Sequence, residues 1–156
     1  MDDNGDWLLT IGAIVLFAIL SLNINSNILL STNSTIHAEY LNTAVDLSES
    51  LIMEIVSKSF DENTINATPD ISGLSSNLGT EGETYPNYDD IDDYNSYQIV
   101  IQTKYSGSFT STVRVRYVNT DDFSPSLVQT GMKEITVYTS SPSLTDTVKI
   151  NYYSSY

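Results

Sequence analysis

Apolar residues run without a charge from Trp7 to Leu22 (WLLTIGAIVLFAILSL), and after Asp6 the next titratable residue is His37. Such a run predicts a helix that crosses a membrane. At about 1.5 Å per residue it reaches about 24 Å, short of a hydrocarbon core of about 30 Å, so Asn23 to Leu30 must complete the span. Asn23, Asn25 and Asn27 fall in that extension. Two readings of these amides are open. They sit at headgroup level, or the helix later leaves lipid for a bundle in which neighbouring chains satisfy them.

Beyond the run the pattern changes period without breaking. Ile36, Tyr40, Ala44, Leu47, Leu51 and Ile55 recur at helical spacing, and Leu41, Val45, Ile52 and Val56 form a second, adjacent stripe. No Pro or Gly lies between Gly12 and Pro69, so one helix is expected over residues 1–60, a rod of about 80 Å from Trp7 to Phe60 at helical rise. The first stripe is expected to meet a sheet, and the second to remain for further neighbours.

Residues 61–96 turn to Asp, Glu, Asn, Ser, Thr and Gly and predict a surface connection, with short turns or a small strand near 71–78. Residues 97–156 alternate. Strands are predicted at 97–105, 111–119, 133–139 and 147–153, in an antiparallel sheet. One apolar face gathers Ile99, Ile101, Val113, Val115, Tyr117, Ile135, Val137, Val148 and Ile150. The other carries Arg114, Arg116, Glu134, Thr136 and Lys149 to the outside. The helix over Ile36 to Phe60 is the amphipathic element that can cover the first face, which predicts an α+β lollipop.

Composition narrows the function. With 156 residues, 20 Asp plus Glu against 6 Lys plus Arg and a net charge of -14, the chain would repel phosphate backbones, which argues against nucleic acid. The absence of cysteine excludes disulfides, thiolate metal sites and thiol nucleophiles. His37 stands without a nucleophile or second His nearby, so no catalytic set and no cofactor is expected. Asp89, Asp90, Asp92 and Asp93 admit a calcium reading, yet Ile91 and Tyr94 interrupt the ligand spacing, and a solvated acidic loop is preferred. Tyr152, Tyr153 and Tyr156 are candidates for an aromatic patch between subunits. Asn33-Ser34-Thr35 and Asn66-Ala67-Thr68 match the glycosylation sequon, a frequent chance match.

Three segments then carry a resemblance: Tyr88-Asp89-Asp90-Ile91-Asp92-Asp93-Tyr94-Asn95-Ser96-Tyr97, Thr112-Val113-Arg114-Val115-Arg116-Tyr117 and Lys133-Glu134-Ile135-Thr136-Val137. Together with the long two-part helix they resemble type IV pilins and pseudopilins, and in pattern the MSHA-type minor pilins. The resemblance implies a structural subunit of an extracellular filament at the cell surface. Its partners would be identical subunits, the inner membrane before assembly and a pilus-type assembly machinery. The assembly surface would then comprise Trp7, Leu8, Ile11, Ile14, Val15, Phe17, Ile19, Leu20, Asn23 and Asn25 in the first half of the helix, with Leu41, Val45, Ile52 and Val56 in the second. The resemblance departs at the start, where acidic Met1 to Gly5 stands in place of a basic leader and cleavage after Gly5 would make Thr10 the fifth residue. Asp6, or Asp2 or Asp3 where Met1 to Gly5 is retained, could compensate for the missing carboxylate, and retention of Met1 to Gly5 is open. The alternative is a membrane-tethered surface β-domain that binds a ligand, or a minor pseudopilin outside the bulk filament.

Overall fold

The structure is a computed structural model that describes the backbone from residue 3 to 156 and side chains from residue 6. Met1, Asp2 and the side chain of Asp3, and with them the question of the first five residues, lie outside the described residues. The fold is α+β. Helix α1 spans Asp3–Val56, and four strands follow: β1 Gln98–Thr103, β2 Gly107–Tyr117, β3 Met132–Ser140 and β4 Val148–Ser155. They form an antiparallel sheet in the order β1-β2-β3-β4. The connection holds single 3-10 turns at Glu62–Thr64, Ile71–Gly73 and Asp92–Tyr94.

Two units are described separately, 1–39 and 40–156. The first is helix throughout its described length, with every described side chain from Asp6 to Glu39 exposed. Its polar residues bend back onto their own backbone: Thr10, Ser26, Thr32 and Thr35 hydroxyls and the Asn23 amide each donate to the carbonyl four residues earlier, at 2.8–3.0 Å. Such bonds let polar side chains sit in an apolar helix without an outside partner. For Asn23 this is a third answer, beside headgroups and neighbouring chains.

In the second unit, helix residues Ala44, Ser48, Leu51 and Ile55 are buried against the sheet face formed by Val113, Val115, Tyr117, Ile135 and Val137. The small side chains of Ala44 and Ser48 leave room for the sheet. There the Ser48 hydroxyl meets Thr139 at 2.7 Å, and Thr139 meets Ser111 at 2.8 Å, so the polar atoms of this tight contact satisfy one another. The β1–β2 hairpin closes through Lys104, Tyr105 and Ser106, with Gly107 at φ 73, a left-handed conformation that a side chain would strain.

Three expectations are corrected. Ile52, read as part of a spare stripe, is 6% exposed and belongs to the core, while Leu41, Val45 and Val56 are half-buried. The sheet and the tyrosines of the connection together cover a wider arc of helix than one stripe. Glu134 and Thr136, expected outside, are buried. They lie on the outer face of a central strand, where register sets Glu134 between Arg116 and Tyr153, and Thr136 between Arg114 and Asn151. Long neighbours close over the carboxylate: Arg116 pairs with it, and Asn151 and Tyr153 each donate to it at 3.2 Å. The acidic loop, finally, is not solvated, since Asp90, Asp92 and Asp93 are all buried.

Candidate functional site

The apolar surface of residues 7–30 is the first candidate. Trp7, Leu8, Ile11, Ile14, Val15, Phe17, Ile19 and Leu20 are all exposed, from 42% at Ile11 to 74% at Phe17, and Leu9, Leu16, Leu22, Ile24, Ile28, Leu29 and Leu30 join them. These positions circle the helix. A helix that is apolar all round requires apolar surroundings on every side, and this one is long and apolar enough to cross a membrane by length and composition. Asn23 and Asn25 lie exposed within the same surface. Of the sequence-predicted assembly residues, the first ten therefore share one continuous surface. The other four, Leu41, Val45, Ile52 and Val56, are drawn wholly or partly into the head.

The second candidate is a buried charged cluster. Asp89 opens a loop tied to the end of α1: Ser59 N–H donates to Asp89 C=O, Ile91 N–H donates to Ser59 C=O, and Lys58 Nζ donates to Tyr88 C=O at 2.6 Å. Within the loop, Asp90 Oδ1 accepts the amides of Asp92 and Asp93, and Asp93 Oδ2 accepts those of Asp89 and Asp90. These carboxylates fold the chain by capping its own amides, which explains why so many acidic residues are adjacent. Glu83, Asp89 and Asp93 bring one carboxylate oxygen each to within 4.8 Å of one another. Since Asp93 already accepts two amides, the grouping is accounted for as loop closure, and it assigns no ion.

Lys133 enters this cluster from β3. It alternates inward with Ile135 and Val137 and is fully buried. Its Nζ donates to Phe60 C=O at 2.6 Å, to Asp92 Oδ1 at 2.5 Å and to Asp61 Oδ2 at 3.1 Å. The rings of Phe60 and Tyr117 lie 4.6 and 5.2 Å from the same nitrogen. Burial by itself would raise the Asp61 carboxyl, but the Lys133 charge and bonds from Lys133 and Ser75 hold it below its ordinary value. At Asp92 burial prevails over Lys133 and the carboxyl is pushed up. At Asp90 burial, reinforced by the charge of Asp92, pushes it up to about 7.

The sequence reading missed Lys133. The available signal was its parity: in Lys133-Glu134-Ile135-Thr136-Val137 the lysine shares a face with Ile135 and Val137. A separate tyrosine layer seats the connection on α1. Tyr88 makes edge-on contacts with Tyr94 and Tyr97 at 5.0 and 5.6 Å, and Tyr94 donates its hydroxyl to Glu54 at 2.8 Å. Burial first, and then Glu54, raise the Tyr94 hydroxyl; burial and its tyrosine and Glu54 neighbours push Tyr97 up to about 12. No family model matches this chain, and neither does any curated protein or solved structure.

Proposed function

We propose that the chain is the structural subunit of an extracellular filament of the type IV pilus kind, polymerising through the first half of its helix. The observation that carries this reading is the charge-free segment 7–30, whose apolar side chains are exposed around the whole helix. Lipid before assembly and identical helices afterwards each supply the surroundings that such a surface requires. Inside the membrane, packing gains little over lipid, and the backbone bonds of Thr10, Asn23 and Ser26 lower the cost of waiting there. Outside it, separation would expose the same surface to water at about 25 cal/mol per Å², so a bundle once formed holds. The long helix with a small antiparallel sheet supports a pilin-like subunit, with the inner membrane and a pilus-type extraction machinery as its partners before assembly.

The test is negative-stain microscopy of the full chain after removal of detergent. Filaments are expected, and Phe17→Asp, which places a charge on the exposed apolar surface, should abolish them while the head stays folded. Folded single molecules under every condition would defeat the proposal. If those molecules sit stably in vesicles, the tethered surface domain takes its place.

A further inference from the structure

Lys133 faces two carboxylates that differ in how far they are satisfied. Asp61 is saturated: its oxygens accept from the Asn63 and Ser75 amides, the Ser75 hydroxyl, the Tyr117 hydroxyl and Lys133. Asp92 accepts the lysine at Oδ1, 2.5 Å away, and its Oδ2 is buried without a donor. Asp90 Oδ2 is orphaned in the same way, and the two carboxyls lie close enough to act on each other's charge. A proton on Asp90 would supply the donor that this pair of carboxyls lacks. Lys133, Asp92 and Asp90 are each at most 1% exposed.

A buried amine pressed on a carboxyl that has one unbonded oxygen, beside a second carboxyl carrying a proton, is the arrangement for amide formation. We propose that Lys133 Nζ condenses with Asp92 Cγ to form an intramolecular amide that cross-links β3 to the connection ahead of β1. In the buried site the ion pair first neutralises: one Nζ proton passes to Asp92 Oδ1, leaving a free amine and a carboxylic acid. The Nζ lone pair then forms the N–C bond at Cγ, and Asp90 donates its proton to Oδ2 as negative charge develops there. A second Nζ proton, relayed through the carboxylates, returns Asp90 to its acid form. The Cγ–O bond breaks and the oxygen departs as water. The balance is one ammonium and one carboxylate converted to one amide and one water, with no oxidant or further reactant. Holding the partners in contact replaces a bimolecular encounter, and exclusion of solvent opposes the return of water. Burial holds the Asp90 carboxyl up to about 7, so the acid form persists toward neutrality.

The experiment is mass spectrometry of the full chain, purified folded and then denatured. The chain is expected to weigh less than its sequence by one water. Trypsin, which does not cut after an amidated lysine, should give a branched product joining residues 59–104 to 117–149. Lys133→Arg should restore the full mass. Asp90→Asn, which keeps the amide-accepting oxygen but carries no acidic proton, should slow the cross-link about 100-fold. A full-mass native chain with Lys133 cut normally overturns the proposal. So does a water loss confined to one unbranched peptide, or a branch at Asp61. The native chain decides the matter even if a variant fails to fold.

Discussion

One helix carries two opposite solutions to the same chemistry. Over residues 7–30 it is apolar on all sides and buries nothing, whereas over 40–56 it keeps its apolar residues to one broad face and buries Ala44, Leu51, Ile52 and Ile55 in the head. Propensity does not separate them, since both halves are helix. What separates them is the angular distribution of apolar side chains: an arc can be covered by one sheet, and a full circle cannot. The head is therefore stabilised by contacts within the chain, and the first half must find its surroundings elsewhere.

The sharpest way to break the comparison is at the head's buried charges. Lys133→Met removes the nitrogen that both the ion pair and the proposed amide require, and leaves Asp61 and Asp92 buried without it. Denaturant unfolding of the head should then show a loss of about 3–5 kcal/mol, with the proposed contacts through residues 7–30 untouched in any head that folds. If stability is unchanged, the pair does not hold the connection to β3.

Next come matched truncations on the two halves of the helix. Ile55→Ala removes a fully buried side chain and should cost the head about 2–5 kcal/mol. Leu16→Ala, at a position 63% exposed, should change head unfolding by less than about 0.5 kcal/mol. Equal effects of the two on the head would erase the distinction between the halves.

The smallest effect is electrostatic. The folded head raises the Asp90 carboxyl from 3.8 to about 7, so the folded state binds the extra proton and stability falls as pH rises through that interval, then levels off. Burial is the main cause, with the charge of Asp92 adding to it and the Asp93 amide and Lys133 opposing it. The slope for one proton is at most about 1.4 kcal/mol per pH unit. It should flatten in Asp90→Asn, as read from unfolding midpoints across the interval. A slope equally steep in the variant would assign the titration to another group.

Much of this was legible along the chain. Periodicity gave the helix, its change of character near Ile36, and four strands close to their observed limits, because side-chain direction in helix and strand follows from position alone. The first ten residues proposed for assembly stand together for the same reason: an apolar circle needs no tertiary partner to be recognised. At Lys133 only the inward side was legible, from its parity with Ile135 and Val137; its partners were not. Its neighbours Asp61 and Asp92 come from distant positions, and adjacent aspartates look solvated until the loop is seen to turn them onto their own amides.

By itself, then, the sequence determined where helix and strands form and which stretch is too apolar to face water, since these depend on local repeat and composition. The tertiary structure decided which polar groups are buried. Ile52, Glu134, Lys133 and the aspartates at 90, 92 and 93 owe their burial to segments far away in the chain that close over them. Burial is a property of what lies across the gap, and the local pattern encodes only the face on which a side chain stands.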